Sequence, residues 1–395
     1  MQHRFEAYYN SNNGNGLYFY GVKSFIRIDT GDALTALDEF LKENPKAYVG
    51  LALSYQLKNE IEDLTSSQKD ETQFPVLIAV IPTTVYEISE NEPMLLSGEE
   101  LSQSHLDRVL SDTGTKEKIH FSARTSRDNY LTAVEKLKSH IQQGDIYEVN
   151  YCQEYFAENV EVDDPVDLYH IVNRITHAPY AVYFNFDEHY VMCGSPERFI
   201  QRKGKHLVSQ PIKGTTRRGR NSKEDELLKE ALRNDPKERS ENVMIVDLVR
   251  NDLSKLASKN SVQVDELFGI YSFDTVHQMI STVSCNLKPD VTLSAIIRAT
   301  FPMGSMTGAP KISAMKLIDT FEDFSRGIFS GSIGYIKPNG DFDLNVIIRT
   351  LIFNSDLKYI SCPVGGAITI KSDPEKEYNE CLVKVGKILD AFKHG

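Results

Sequence analysis

The sequence is short of cysteine and has no long apolar run. Its five cysteines, Cys152, Cys193, Cys285, Cys362 and Cys381, are odd in number, and none stands in a C-x-x-C pair. That pattern fits neither a disulfide scaffold nor a zinc knuckle, and reduced thiols are the simplest reading. The longest apolar stretches, such as "VLIAVIP", are far too short to span a bilayer, and the opening "MQHRFEAYYNSNNGNG" lacks an apolar signal core. A cytoplasmic protein is expected. Positive charge is scarce as well: the formal net charge is -12. It argues against a nucleic-acid or anionic-membrane partner, because both are polyanions that such a chain repels. A small anionic substrate would need locally positive groups or a bridging metal. No repeat period and no low-complexity linker is visible.

What is present is an ordinary globular composition, 395 residues with 41% hydrophobic and 25% charged. That is room for one large core or two to three smaller ones, at ~150 residues per domain. The polar run from about Ser97 to Arg127 is the best internal seam. Beyond it, Ser126 caps a helix whose apolar face is Tyr130, Val134, Leu137 and Ile141, and Gly144 stops it. A strand follows from Ile146, with Glu148 and Asn150 on one face and Tyr147, Val149 and Tyr151 on the other. "YAVYFNF", "HYVMCGS", "KHLVSQPI", "SGSIGYIKP", "DLNVIIRTLIF" and "KYISCPVGGAITI" read as strands. Helical patterns fall around 224–233, 238–255, 293–300, 310–321 and 374–392. Strand pairs with inserted helices predict an α+β fold with large antiparallel sheets.

Four stretches have the residue types of a reactive site. In "KERSENVMIVDLVRNDL", Glu238 and Glu241 are three apart and share a helix face. "SDPEKEYNECLVKVGKILDAF" repeats the spacing with Glu377 and Glu380, after an Asp373-Pro374 helix start. Each pair also reads as a solvated acidic first turn favoured by the helix dipole. Together they suit one hard cation, since Mg²⁺ takes a few carboxylates and keeps waters for substrate oxygens. In "FPMGSMTGAPKISAMKLI", Gly304 and Gly308 flank Ser305 and Thr307 ahead of a helix, which suits an anion or a plain structural turn. The spacing is not that of a nucleotide-binding loop. Last, "QPIKGTTRRG" places Lys213 where no turn requires a cation, and "GSPERF" places Glu197 sixteen positions earlier. A lysine of ordinary pKa is only about one part in 2,500 neutral at pH 7. A nucleophilic role needs a metal, a cation or an apolar wall to depress it; a solvent-facing lysine needs nothing.

These stretches occur together and in one order, and on them the chain resembles the chorismate-utilising enzymes. That family takes in anthranilate synthase large subunits, aminodeoxychorismate synthase component I, and the isochorismate and salicylate synthases. "SPERF", "PIKGT", "ERSENVMIVDLVRNDL", "GAPKISAM", "SIGYI", "VIIRTL" and "SDPEKEY" carry the likeness from about Thr125 onward, and "YVGLALSYQL" extends it loosely upstream. The resemblance implies two large, face-packed antiparallel sheets with helices outside, as in anthranilate synthase component I. Residues 122–395 would be the chorismate-binding core, and 1–115 a subdomain adding strands to the shared sheets.

Lys213 in "PIKGT" looks like the aminodeoxychorismate synthase branch, where anthranilate synthases usually carry alanine. In that branch the lysine attacks C2 of chorismate as the C4 hydroxyl departs, and ammonia then displaces it by attack at C4. The resemblance gives Glu197 the role of proton donor to the leaving hydroxyl. It assigns Glu238, Glu241, Glu377 and Glu380 to Mg²⁺. Tyr335, Arg349, Gly365 and Gly366 would hold the enolpyruvyl carboxylate, and Thr215, His277 and Ser305 would line the ring site. His277 also reads as a satisfied core histidine. A separate glutamine amidotransferase subunit, component II, would deliver the ammonia. Three residues depart from the family pattern: Glu148 where glutamine is usual, Ala367 in a Gly-x-Gly-like turn, and Arg217 in place of proline. The rival readings are anthranilate synthase and a catalytically weak chorismate-binding or amidotransferase-docking protein.

Overall fold

The computed structural model describes residues 3–274 and 276–393. Within them the strands form two sheets, one of eleven strands and one of ten, and every pairing is antiparallel. The first runs, in order, Gly308–Ala309, Glu148–Ala157, Tyr359–Thr369, Thr350–Asn354, His189–Ser195, Tyr180–Phe186, Phe5–Asn10, Gly16–Tyr20, Thr84–Ser89 and Glu92–Ser97. Ser122–Ala123 adds to it beside Glu148–Ala157. The second runs Ile212–Arg217, Val276–Asn286, His206–Gln210, Arg198–Lys203, Phe342–Asn345, Ser332–Ile336, Val49–Leu53, Leu77–Ile81 and Ser24–Ile28. Gln263–Ser272 pairs off this path with Val276–Asn286. The expected α+β architecture is the one observed.

Period-two alternation decides which core each strand residue enters. Along Tyr180–Phe186, Val182 and Phe184 join the cluster that links the two sheets, with Leu51, Ile333 and Leu344. Ala181 and Tyr183 turn the other way, into a cluster with Tyr130, Leu137, Val172 and Ile388 from the helices Arg127–Gln143, Pro165–Thr176 and Pro374–Ala391. The same rule orients Glu148–Ala157. Val149 and Tyr151 go under the helices and Cys152 goes between the sheets, so Glu148 and Asn150 share the inner face with Cys152. The helix ahead of this strand begins and ends where the sequence places it. Ser126 Oγ accepts the Asn129 N–H, and Gly144 closes the helix in the left-handed region at φ 86°.

Two expected strands are broken. "KHLVSQPI" divides at Pro211, which has no N–H for the ladder, into His206–Gln210 and Ile212–Arg217. "DLNVIIRTLIF" divides into Phe342–Asn345 in the second sheet and Thr350–Asn354 in the first. The chain crosses between sheets through Val346 and Ile347, both fully buried, and turns at Arg349 with φ 54°. An unbroken apolar run does not reveal that its burial is split between two layers. The crossing brings one end of the first sheet against the Ile212–Arg217 edge of the second. The helices Pro236–Ser254 and Pro374–Ala391 also start there.

Candidate active site

Lys213 is set into this edge by a distortion. The register of Ile212–Arg217 against Val276–Asn286 slips between Ile212 and Thr215, and Gly214 takes φ 93°. A bulge of this kind re-aims a side chain. Lys213 points inward, buried, and its Nζ donates to Glu148 Oε1 at 2.5 Å. Thr215, one step beyond the bulge, is exposed. Burial by itself would lower the lysine's pKa, but the carboxylates of Glu148, Glu241 and Glu197 outweigh it and hold the ammonium above its ordinary value.

Glu197 sits at the corner between His189–Ser195 and Arg198–Lys203, fixed by backbone bonds to Ser195 and Val346. Its Oε1 accepts the Ser305 hydroxyl at 2.8 Å. Burial pushes its carboxyl up to about 7, against the Ser305 hydrogen bond, the Lys213 charge and the Ile212 N–H. Ser305 itself lies in the short turn Gly304–Met306, which is tied to Glu148–Ala157 by the Asn150 N–H to Thr307 and by the pairing of Gly308 and Ala309 with Val149 and Glu148. One loop therefore braces both the acid and the lysine's partner.

The two E-x-x-E turns, far apart in sequence, meet. Lys237 Nζ lies 3.8 Å from Glu241 Oε1 and 3.5 Å from Glu377 Oε1, and the charges of Glu238 and Glu380 bear on it as well. Glu238 backs onto Gly214, where a Cβ would stand 3.1 Å from its Oε2, and Glu377 and Glu380 lie beside Gly366, where a Cβ would be in ordinary contact with both at 3.9 Å. Glu241 is buried, its Oε1 has no hydrogen-bond partner, and burial raises its pKa to about 7 even with Lys213 nearby. Among the described residues no three such side chains are already drawn together around one point. Lys237 is the positive charge between them. Two buried carboxylates, Glu241 and Glu377, flanked by the more open Glu238 and Glu380 and including an orphaned oxygen, fit a divalent cation.

Arg349 lies half-buried on the crossing, and burial lowers its pKa. Its guanidinium donates to the Lys384 carbonyl at 2.9 Å, and no carboxylate of the described residues pairs with it. Gly365 and Gly366 run beside it on Tyr359–Thr369, and Lys384 Nζ reaches the Gly365 carbonyl at 3.0 Å. A Cβ at Gly365 would stand 2.4 Å from Cys152 Sγ and 2.8 Å from the Tyr151 carbonyl. Gly365→Ala is therefore expected to destabilise the fold by about 1–3 kcal/mol, read as a lower midpoint in denaturant unfolding. An unchanged midpoint would mean the strand yields easily there.

Two expected substrate contacts are placed elsewhere. Tyr335 packs its ring on Tyr9, centroids 5.1 Å apart, with the Lys337 ammonium over it. His277 is fully buried, and both ring nitrogens are engaged, Nε2 with Asp225 and Nδ1 with Ser272, each at 2.9 Å. Neither side chain touches the Lys213–Glu148–Glu197 group.

Residues 6–390 match the family described as chorismate binding enzyme. The chain belongs to that family. The aminodeoxychorismate synthase of Streptomyces griseus is 42% identical over 269 residues, 67% of this chain and 36% of that protein. Aminodeoxychorismate synthase component 1 of Klebsiella aerogenes is 39% identical over 267 residues, 68% of this chain and 58% of its own length. The chain thus spans about a third of the first of these relatives and somewhat less than two thirds of the second. In fold it superposes on anthranilate synthase component I from Streptococcus pneumoniae TIGR4 with a TM-score of 0.80, covering 98% of this chain and 92% of that one at 23% identity.

In this chorismate binding enzyme the site residues that sequence reasoning missed are cations. Lys237 and Lys384 sit inside E-x-x-E helices and look like ordinary solvated lysines. Their one sequence signal is a basic residue within a turn of a glutamate, as in Glu380 and Lys384, which pair at 2.7 Å.

Proposed function

We propose that the protein is an aminodeoxychorismate synthase component I, joining chorismate and ammonia to give 4-amino-4-deoxychorismate on the route to p-aminobenzoate. The observation that carries this is Lys213: a buried amine set between Glu148 and a carboxyl, Glu197, that titrates at about 7. The likeness to the aminodeoxychorismate synthases of Streptomyces griseus and Klebsiella aerogenes supports it. On this reading 122–395 is the catalytic core and 1–115 a subdomain completing both sheets.

Lys213 Nζ attacks C2 of chorismate, both ring double bonds shift, from C1=C2 and C5=C6 to C1=C6 and C4=C5, and the C4–O bond breaks. Glu197 gives its proton to the departing hydroxyl, which leaves as water. Ammonia then adds at C4, the bond shift reverses, and Lys213 is released. Two allylic displacements put nitrogen on C4, where one direct attack would put it on C2. Arg349 and the backbone around Gly365 and Gly366 orient the enolpyruvyl carboxylate, and Ser305 holds Glu197 toward the leaving group. Glu238, Glu241, Glu377 and Glu380 would hold Mg²⁺, which when bound neutralises them and takes a substrate carboxylate. Thr215, His277 and Tyr335 take no step in this mechanism. Ammonia comes from a glutamine amidotransferase partner, and ammonium salts replace that partner in vitro. The compartment is the cytoplasm. Among the described residues no helix is long and apolar enough to cross a membrane.

The test is the product. Purified protein with Mg²⁺, chorismate and ammonium, coupled to a lyase, is expected to yield para-aminobenzoate by mass spectrometry, and a magnesium chelator is expected to stop it. Ortho-aminobenzoate alone would make the protein an anthranilate synthase. Bound chorismate that never turns over would make it a binding protein.

A further inference from the structure

We infer that Glu148 is the proton acceptor for Lys213 in this reaction; the inference rests on the reading of Lys213 as the nucleophile. A lysine attacks only as the neutral amine. Two groups facing Lys213 oppose that whether or not a metal is bound: Glu148 from the strand Glu148–Ala157, at 2.5 Å, and Glu197 from its corner. Glu238 and Glu241 from the helix Pro236–Ser254 and Glu380 from the C-terminal helix face it too, but their charge is the charge Mg²⁺ would neutralise. With its proton held this firmly, Lys213 does not reach a useful neutral fraction by equilibrating with bulk water near pH 7. Its proton must pass to a neighbour.

Geometry leaves one neighbour. Among the described residues, Glu148 is the only carboxylate within ion-pair distance of Lys213 Nζ, at 2.5 Å. The side chains are 10% and 2% exposed, so no bulk water competes for the proton. Glu148 is also fixed on both sides, its backbone paired with Ala309 on one flank and Thr369 on the other. The other oxygen, Oε2, is buried without any donor. That oxygen has its lone pairs free to receive a proton. Transfer within the pair moves no net charge through the low-dielectric interior, unlike expulsion of a proton to solvent.

The protons balance through the cycle. One Nζ–H bond breaks, its electrons stay on nitrogen, and the proton goes to a Glu148 oxygen. The amine forms the bond to C2 and becomes a secondary ammonium, while the C4 oxygen leaves as water with the Glu197 proton. When ammonia bonds to C4, the C2–N pair returns to Lys213 and the neutral amine takes its proton back from Glu148. The new C4 ammonium gives one proton to Glu197. The site is reset, and the sum is chorismate plus ammonia to aminodeoxychorismate plus water.

The experiment compares wild type, Glu148→Gln and Glu148→Asp in kcat/KM for aminodeoxychorismate from about pH 5.5 to 9, with ammonia concentration corrected at each pH. Wild type carries its proton inside a pair of fixed count, so its rate is expected to be level below pH 7. Glu148→Gln lacks the acceptor. It is expected to lose about 10²-fold at pH 6, and to recover about tenfold per pH unit up to about pH 7 as solvent deprotonates Lys213, levelling off above that as Glu197 loses its proton. Glu148→Asp keeps an acceptor on a shorter arm and is expected to be slower with the wild-type profile. Thermal unfolding of each variant separates loss of fold from loss of rate. A wild-type rate that itself climbs tenfold per unit below pH 7, or a Glu148→Gln enzyme with wild-type rate and profile, would overturn the inference. A wild type that makes no aminodeoxychorismate at any pH would overturn the proposed function, and the inference with it.

Discussion

Lys213→Ala is expected to lower aminodeoxychorismate formation by about 10³-fold or more, because on the proposed mechanism it removes the atom that forms the covalent bond rather than one that assists it. Chorismate binding should survive, since Arg349 and the acidic cluster are untouched. Any aminated product that remains is expected to carry nitrogen at C2, because ammonia then attacks the ring directly. The single variant has a structural side effect. It leaves Glu148 buried with neither oxygen paired, and breaking a buried ion pair from one side costs about 3–5 kcal/mol. The double variant Lys213→Ala/Glu148→Gln removes that charge. It is expected to regain most of the lost stability and none of the para activity. Product analysis, denaturant unfolding and mass spectrometry of the trapped wild-type adduct check the three parts. Para output that persists in a folded double variant would remove Lys213 from the chemistry.

The fold was legible in outline because it depends on local period. The helix from Ser126 to Gly144 announces its cap, its buried face and its stop, and the structure keeps all three. Leu293–Thr300 matches its expected span as well. Boundaries that depend on the other sheet were not legible. Nothing in "DLNVIIRTLIF" states that Asn345 belongs to one layer and Thr350 to another. The helices Ala33–Glu43, Gln103–Leu110 and Pro165–Thr176 went unread although their periodicity is clear: Leu34, Leu37 and Phe40 in the first, and Leu106 and Val109 in the second, recur at helical spacing and are buried. The candidate site divides in the same way. Residue types were visible: paired glutamates, an isolated acid, an unexplained lysine. Their meeting was not, because Gly214 and Gly366 bring the glutamate pairs in through backbone proximity rather than through side-chain pattern. Glu148 stood out at once as a negative charge near the expected substrate. Only the bulge at Lys213–Gly214 shows that the charge is aimed at the lysine.

Glu197→Gln is expected to lower kcat/KM by about 10²- to 10⁴-fold, the range for removing a general acid. The pH dependence gives the sharper test. Burial raises the Glu197 carboxyl to about 7, and the proposed mechanism uses its protonated form. The acid is therefore fully present below that value, and wild-type kcat/KM should fall about tenfold per pH unit above it. In Glu197→Gln the residual rate should lack this alkaline limb, since nothing at that position titrates. Ser305 offers an independent handle. Its hydroxyl donates to Glu197 Oε1 at 2.8 Å and favours the ionised form, which lowers the pKa. Ser305→Ala removes that donor without removing the acid, so the limb should move to higher pH while the plateau below it changes less than in Glu197→Gln. A limb that stays at the wild-type pH in Ser305→Ala, or survives in Glu197→Gln, would assign the titration to another group and leave the C4 hydroxyl without its proton donor.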